Sequence, residues 1–464
     1  MTDTPLYLLT ATAVRARLRA GTLTVEAYAQ SLLHRIAQRD KAVGAWVYLD
    51  PAFVLEQARA LDRIPADQRG PLHGVPIAIK DVIRKTGDGE NDSMSTRLLE
   101  RLADRLDMPT QHNSPIYKGS FPQVDAASVM ILRHAGALIF GKTATTEFAA
   151  TTIGPATRNP HSPLVDRTPG GSSSGSGAAV GDAQIPLALA TQTGGSTIRP
   201  ASFNGIYGFK PTWGAVSREG QKMYSLLLDT LGWYARSAPD LALLADVLGV
   251  RDDDPSPTFR GLRGARFALC RTSVWPSAGP GTRAAVARAA SILRRHGATV
   301  DELDLPPAFD AVPEWHRALL HGDGRATFLA EHRVAREQLH ESLAVYVDMP
   351  EFSRREQLVA QDGIAALRPK FDELAAGYDA VLAPSVVDEA PVGLGWTGEA
   401  AFCSVWTALH VPVVNIPGFQ GEDGMPIGVS LLAPRFRDRY LLKVTEEVGR
   451  VFEAEGGWTR RLLV

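Results

Sequence analysis

Short apolar runs, each bounded by glycine, proline or polar residues, recur along the whole chain with helical patterns between them. Gly74-Val-Pro-Ile-Ala-Ile-Lys80 reads as a buried strand. So do Ala137-Leu-Ile-Phe140, the run from Ile185 to Ala190, Ala380-Val-Leu-Ala383, Val413-Val-Asn-Ile416 and Ile427-Gly-Val-Ser-Leu-Leu432. Helical patterns fill residues 10–60, with Thr24 as the N-cap of one helix, then Ala126 to Ala135, and most of 283–376. Such alternation predicts an α/β fold whose sheet draws strands from both ends of the chain.

The 464 residues are 45% hydrophobic and 22% charged, enough apolar material for a large core. No linker is long or biased enough to divide the chain, so a single domain over 1–464 is expected. Formal net charge is -2, from 49 basic and 51 acidic residues without runs of like charge, and a nucleic-acid partner is not expected. Cys270 and Cys403 are the only cysteines, which excludes a disulfide framework and a structural zinc site made of cysteines. His73, His112, His134 and His161 show no metal-ligand spacing. No stretch approaches 18 apolar residues free of charge, and the N-terminal apolar run has no basic segment before it. The expected location is cytoplasmic, with no membrane contact.

Two motifs invite opposite errors. Gly136-Ala-Leu-Ile-Phe-Gly141-Lys142-Thr143 satisfies the phosphate-loop pattern letter by letter, but a helix precedes it and its variable residues are strand material. A phosphate cradle needs the reverse, a strand before a glycine-rich loop and a helix after, so nucleotide binding is not expected. Thr168-Pro-Gly-Gly-Ser-Ser-Ser-Gly-Ser-Gly177 has the composition of a flexible linker, yet it stands inside the α/β pattern. A second cluster, Thr191-Gln192-Thr193-Gly194-Gly195-Ser196, follows it.

A serine attacking a carbonyl needs close backbone approach and successive N–H groups for the developing oxyanion, which Gly194 and Gly195 before Ser196 can supply. Neither Ser174 nor Ser176 has the glycine two residues to each side that the nucleophile elbow of α/β-hydrolases requires, and the base is sought elsewhere. Lys80, at the end of an apolar strand, can act as one if burial keeps it neutral. An exposed lysine at a strand end is the alternative.

Taken together, the lysine strand Gly74 to Ile83, the segments Pro169 to Gly175 and Gln192 to Pro200, Tyr207-Gly-Phe-Lys-Pro-Thr212 and Val411 to Pro417 resemble the amidase signature family. The resemblance implies an α/β/α sandwich around a large mixed sheet. It implies Ser196 as nucleophile, Ser172 as a bridging serine after a cis Gly171-Ser172 bond, and Lys80 as the base. Backbone N–H groups of Gln192, Thr193, Gly194 and Gly195 would form the oxyanion hole, with Ser173 and Ser174 supporting by hydrogen bonds. Arg199 either anchors the nucleophile loop or lies at the surface before Pro200. The implied activity is hydrolysis of a small or aryl carboxamide, or of a carbamate or ester, through an acyl-enzyme. No metal or organic cofactor is implied, the partner is the small-molecule amide, and a homodimer stays open.

The chain departs from the family pattern in places. Residues 84–107 are inserted after the lysine strand, with Ser95 capping a helix through Leu98, Leu99, Leu102 and Leu106, as a lid or as a surface decoration. Asn113 replaces a glycine and suits a left-handed conformation. Cys403, in Phe402-Cys403-Ser404-Val405-Trp406-Thr407, stands where many relatives carry Asn; it either touches substrate or is a small buried hydrophobe. Trp213, Trp233, Trp396 and Trp406 are pocket or packing residues. Two rival functions remain: the glutaminase subunit of an amidotransferase complex, and a non-catalytic binding protein on the same fold.

Overall fold

The computed structural model describes residues 5–85, 108–253 and 258–460. Among them, the strands β1 (Trp46–Tyr48), β2 (Pro76–Lys80), β3 (Leu138–Thr143), β4 (Leu187–Gln192), β5 (Tyr207–Lys210), β6 (Thr230–Ala235), β7 (Arg266–Leu269), β8 (Thr299–Glu302), β9 (Ala380–Pro384), β10 (Val413–Gln420) and β11 (Pro426–Leu432) form one sheet. Its order is β1-β3-β2-β4-β6-β5-β10-β11-β9-β7-β8, so strands from both ends of the chain meet at the β5–β10 pair. Pairing is mixed: β3, β2 and β4 run parallel, the middle strands from β4 to β9 are antiparallel, and β9, β7 and β8 are parallel again.

Helices cover both faces. The two-residue period of a strand sends Ile77 and Ile79 into one apolar cluster and Ala78 into another; Leu187 and Leu189 separate from Ala188 and Ala190 in the same way. The helices Ala238–Val247, Pro280–Arg295 and Asp438–Glu455 contribute to the first cluster. The N-terminal helices and Ser174–Gly181 cover the opposite face, and Val312–Thr327, Arg354–Ala375 and Ala401–Ala408 continue that layer over the second half of the sheet. Helix Val25–Val43 starts as expected: Thr24 Oγ1 accepts from Ala27 N at 3.1 Å, and Gly44 ends it with φ 66°.

The expected strands are present, with β3 continuing through the Gly141-Lys142-Thr143 of the phosphate-loop pattern. Lys142 is fully buried there; its ammonium lies 3.1 Å from Asp81 Oδ1 and donates to Thr110 Oγ1 at 2.6 Å and to Ile83 O at 3.0 Å. It is a structural ion inside the sheet layer. The stretch 283–376 is not purely helical, since β8 crosses it at the sheet edge. Arg84 and Lys85 are described, but the remainder of the 84–107 insertion, with Ser95 and its leucine face, lies outside the described residues. Among the described residues no helix is long and apolar enough to cross a membrane.

Candidate active site

Strands β2 and β4 are parallel neighbours, so their carboxyl ends lie side by side, the edge at which open α/β sheets place ligands. Lys80 closes β2 and Thr191-Gln192 close β4. Lys80 Nζ lies 2.8 Å from Ser172 Oγ and 2.7 Å from Thr191 Oγ1. The lysine is fully buried, and burial holds its pKa well below the usual lysine value; the charge of Asp229 opposes that shift. Among the described residues no carboxylate forms an ion pair with it. A neutral amine bonded to a serine hydroxyl is equipped to take a proton.

Ser172 follows Gly171 through a cis peptide bond, and its carbonyl accepts from Ser174 N at 2.9 Å and Thr146 N at 3.3 Å. Ser173 Oγ donates to Thr191 O at 3.3 Å, joining the first serine segment to β4. Ser174 opens the helix Ser174–Gly181 and supports through its backbone; its buried hydroxyl has no hydrogen-bond partner among the described residues. The glycines of this segment are required by close approach. A Cβ on Gly175 would meet Ala45 O at 2.2 Å and Ala144 N at 2.4 Å.

Ser196 sits on the turn between β4 and the helix Ile198–Phe203, and Tyr234 donates to its carbonyl at 3.2 Å. Arg199 is the anchor and not a surface residue: it is 6% exposed, donating to Gly171 O and Gly398 O at 2.5 Å each and to Thr397 Oγ1 at 3.3 Å. One side chain thereby ties the Ser196 segment to the peptide that carries Ser172. Gln192 enters through its side chain, because its backbone belongs to β4 opposite Thr230. Its Oε1 accepts from Thr197 N and Ile198 N at 2.9 Å each, and its Nε2 donates to Thr407 Oγ1 at 2.9 Å.

Thr191, Asp229, His316 and Thr407 are the residues sequence reasoning missed. Asp229 is fully buried, and burial pushes its carboxyl up to about 6; it accepts from Thr193 Oγ1 at 2.6 Å and from Tyr224 N at 2.7 Å. His316 Nε2 donates to Thr193 O at 2.9 Å, and burial brings the imidazole down to about 4. Thr191 heads the second glycine-serine cluster and Thr407 ends the segment that holds Cys403, so both stand beside residues with a legible signal. Asp229, an isolated carboxylate after Leu226-Leu-Leu, was a faint signal, and His316 offered none.

Cys403 is buried, and its thiol donates to Ser385 O at 3.0 Å; burial pushes its pKa up to about 12. A Cβ on Gly195 would meet the Cys403 Cβ at 3.0 Å, so this cysteine packs behind the turn as a small buried group. Of the tryptophans, Trp233 and Trp406 are core, Trp213 stacks on His410 at 4.5 Å, and Trp396 is 47% exposed beside Thr397. Two cavities of about 310 and 330 Å³ lie at the β10–β11 turn near Gln420 and Gly457, with none of the serines in their walls. Among the described residues no three His, Cys, Asp or Glu side chains gather closely enough to hold a metal ion.

The family model described as Amidase matches residues 27–105 and 103–442. The chain is 33% identical over 505 aligned positions to the A-type subunit of the glutamyl-tRNA(Gln) amidotransferase of Symbiobacterium thermophilum, covering 94% of this chain and 95% of that protein. Among solved structures, the peptide amidase of Stenotrophomonas maltophilia superposes with a TM-score of 0.76 at 28% identity, over 98% of both chains. A chain of a vestigial protein complex bearing on the evolutionary origins of an s-triazine catabolic enzyme superposes with a TM-score of 0.83 at 26% identity, over 98% of this chain and 100% of that one. The lysine strand, the two serine segments and the mixed sheet that joins them therefore make this chain a member of the amidase signature family.

Proposed function

We propose that the chain hydrolyses the C–N bond of a carboxamide through an acyl-enzyme on Ser196. The observation that carries this reading is the contact of 2.8 Å between Ser172 Oγ and a fully buried Lys80 without an ion-pair partner among the described residues. Ser196 Oγ attacks the carbonyl carbon, its proton passes to Ser172, and the Ser172 proton passes to Lys80. The oxyanion is held by backbone N–H groups of the Thr193–Ser196 turn. Collapse of the tetrahedral species breaks the C–N bond, and the Lys80 proton returns through Ser172 to the departing amine. Water then attacks the acyl group along the same proton path and releases the acid.

A second reading is favoured by the glutamyl-tRNA(Gln) amidotransferase relative: the amide is glutamine, and the ammonia passes to a partner protein. Product release from alkyl amides, anilides, carbamates, esters and free glutamine separates the two, with Ser196→Ala beside the wild type. Cleavage of simple amides, lost in the variant, supports the stand-alone hydrolase. Cleavage of glutamine alone moves the assignment to the amidotransferase. Full activity in the variant refutes the serine mechanism, and a non-catalytic fold would cleave none of them.

A further inference from the structure

The backbone of the Ser196 turn can be accounted for group by group. Thr193 O accepts from His316 Nε2 at 2.9 Å, Gly194 O accepts from Thr407 Oγ1 at 2.7 Å, and Gly195 O accepts from Arg199 N at 2.9 Å. In a planar trans peptide the C=O and the following N–H point in opposite directions. Fixing each of these carbonyls therefore fixes the following N–H group, of Gly194, Gly195 and Ser196 in turn, pointing away from it. Those three N–H groups have no hydrogen-bond acceptor among the described residues, although the turn is largely buried. Buried backbone donors are almost always paired, so an unpaired row marks the place where an oxygen is bound during reaction.

The Arg199 bond belongs to the local turn, but the other two come from distant elements. His316 lies on the helix Val312–Thr327, and Thr407 on the helix Ala401–Ala408. We infer that His316 and Thr407 are positioning residues of the oxyanion turn, orienting the Gly194 and Gly195 donors without touching substrate. The inference rests on Ser196 being the nucleophile. The imidazole suits the task because burial keeps it neutral, and its bond to a carbonyl fixes the proton on Nε2. The Thr407 hydroxyl accepts from Gln192 Nε2 at 2.9 Å, and its one proton has two carbonyls in reach, Gly194 O at 2.7 Å and Cys403 O of its own helix at 3.0 Å, of which the turn carbonyl is the nearer.

The test uses the full chain and a fluorophosphonate probe. Its phosphorus forms a bond to the serine oxygen, fluoride leaves, and the phosphoryl oxygen takes the oxyanion position. Wild type should be labelled on Ser196, located by mass spectrometry. His316→Ala and Thr407→Val should lower the limiting labelling rate about 10- to 100-fold, somewhat less than the loss of a direct oxyanion donor. The probe concentration at half-saturation should stay within about twofold, because the aim of the N–H groups matters most as the bond forms. His316→Gln restores an N–H donor and should recover most of the rate. Folded His316→Ala labelling at the wild-type rate overturns the inference. So does a loss that His316→Gln does not repair while Thr407→Val labels normally. If His316→Ala does not fold, Thr407→Val and His316→Gln decide by the same criteria. Absence of label on wild-type Ser196 is a separate outcome that refutes the nucleophile assignment itself.

Discussion

Arg199 is the side chain on which both serine segments depend, so its removal has a calculable cost. Its guanidinium donates to Gly171 O and Gly398 O at 2.5 Å each while only 6% exposed. Arg199→Met keeps most of the length and removes both donors. At about 1.5 kcal/mol for each hydrogen bond to a charged group, the low end because burial of the guanidinium is itself costly, the loss is about 3 kcal/mol. Arg199→Lys offers a point charge that cannot span two carbonyls on separate segments, and should lose about half as much. For 464 residues the unfolding entropy is about 1 kcal/mol per degree, so the Met variant should melt about 3 °C below wild type. Equilibrium urea unfolding gives the free-energy difference directly. Fluorophosphonate labelling of Ser196 should slow in the same variant, because the Gly171 carbonyl belongs to the peptide that carries Ser172. A Met variant within about 0.5 kcal/mol of wild type, the range of an ordinary surface change, would refute the anchor.

Three other measurements bear on the site and its surroundings. Lys142→Met leaves Asp81 buried without its cation and should cost about 3 kcal/mol in urea unfolding, the low end for a broken buried pair, since burial already raises the Asp81 carboxyl toward its neutral form; unchanged stability would contradict the structural role. Amide cleavage should fall as pH drops, because Lys80 must be neutral to accept the proton. Asp229 raises the Lys80 pKa, so Asp229→Asn should move that acid limb to lower pH, and a limb that moves upward would show the sign to be wrong. Cys403 and Cys270 are buried with thiols pushed up to about 12, so iodoacetamide at pH 8 should modify them only after unfolding; alkylation of native protein would refute their burial.

The strands that were legible and those that were not differ in a physical way. β2 and β11 advertise themselves because β-branched residues recur at every second position, Ile77 and Ile79 in one and Ile427 and Val429 in the other, within short fully buried runs. β5 and β6 contain Gly208 and Gly232, which local rules treat as breaks. Here they mark close approach, since a Cβ on Gly208 would meet Ala201 Cβ at 2.5 Å and one on Gly232 would meet Phe209 O at 2.6 Å. β8 buries only Val300 at the sheet edge and so carries no apolar pattern. The site divides along similar lines. Lys80, Ser172 and Ser196 sit in compact segments whose composition is itself unusual. Asp229, His316 and Thr407 reach the same turn from 36, 123 and 213 residues away, and nothing near them in the chain reports that contact.

The glycine-serine run 168–177 shows why composition alone misleads about stiffness. A linker of this composition is flexible because each glycine opens backbone conformations and nothing outside the segment closes them. In this chain every residue from Thr168 to Gly177 is buried. Asn204 Nδ2 donates to Pro169 O at 2.7 Å, Arg199 holds Gly171 O, and Ser176 Oγ donates to Leu189 O at 2.9 Å. The missing side chains are what let these groups approach. A Cβ on Gly171 would meet Thr397 Cγ2 at 2.5 Å, and one on Gly177 would meet Asn204 Nδ2 at 2.9 Å. The property that makes an isolated glycine segment mobile thus lets a buried one be clamped on all sides. Gly171→Ala and Gly177→Ala should therefore destabilise the fold, whereas alanine in a true linker would leave it unchanged.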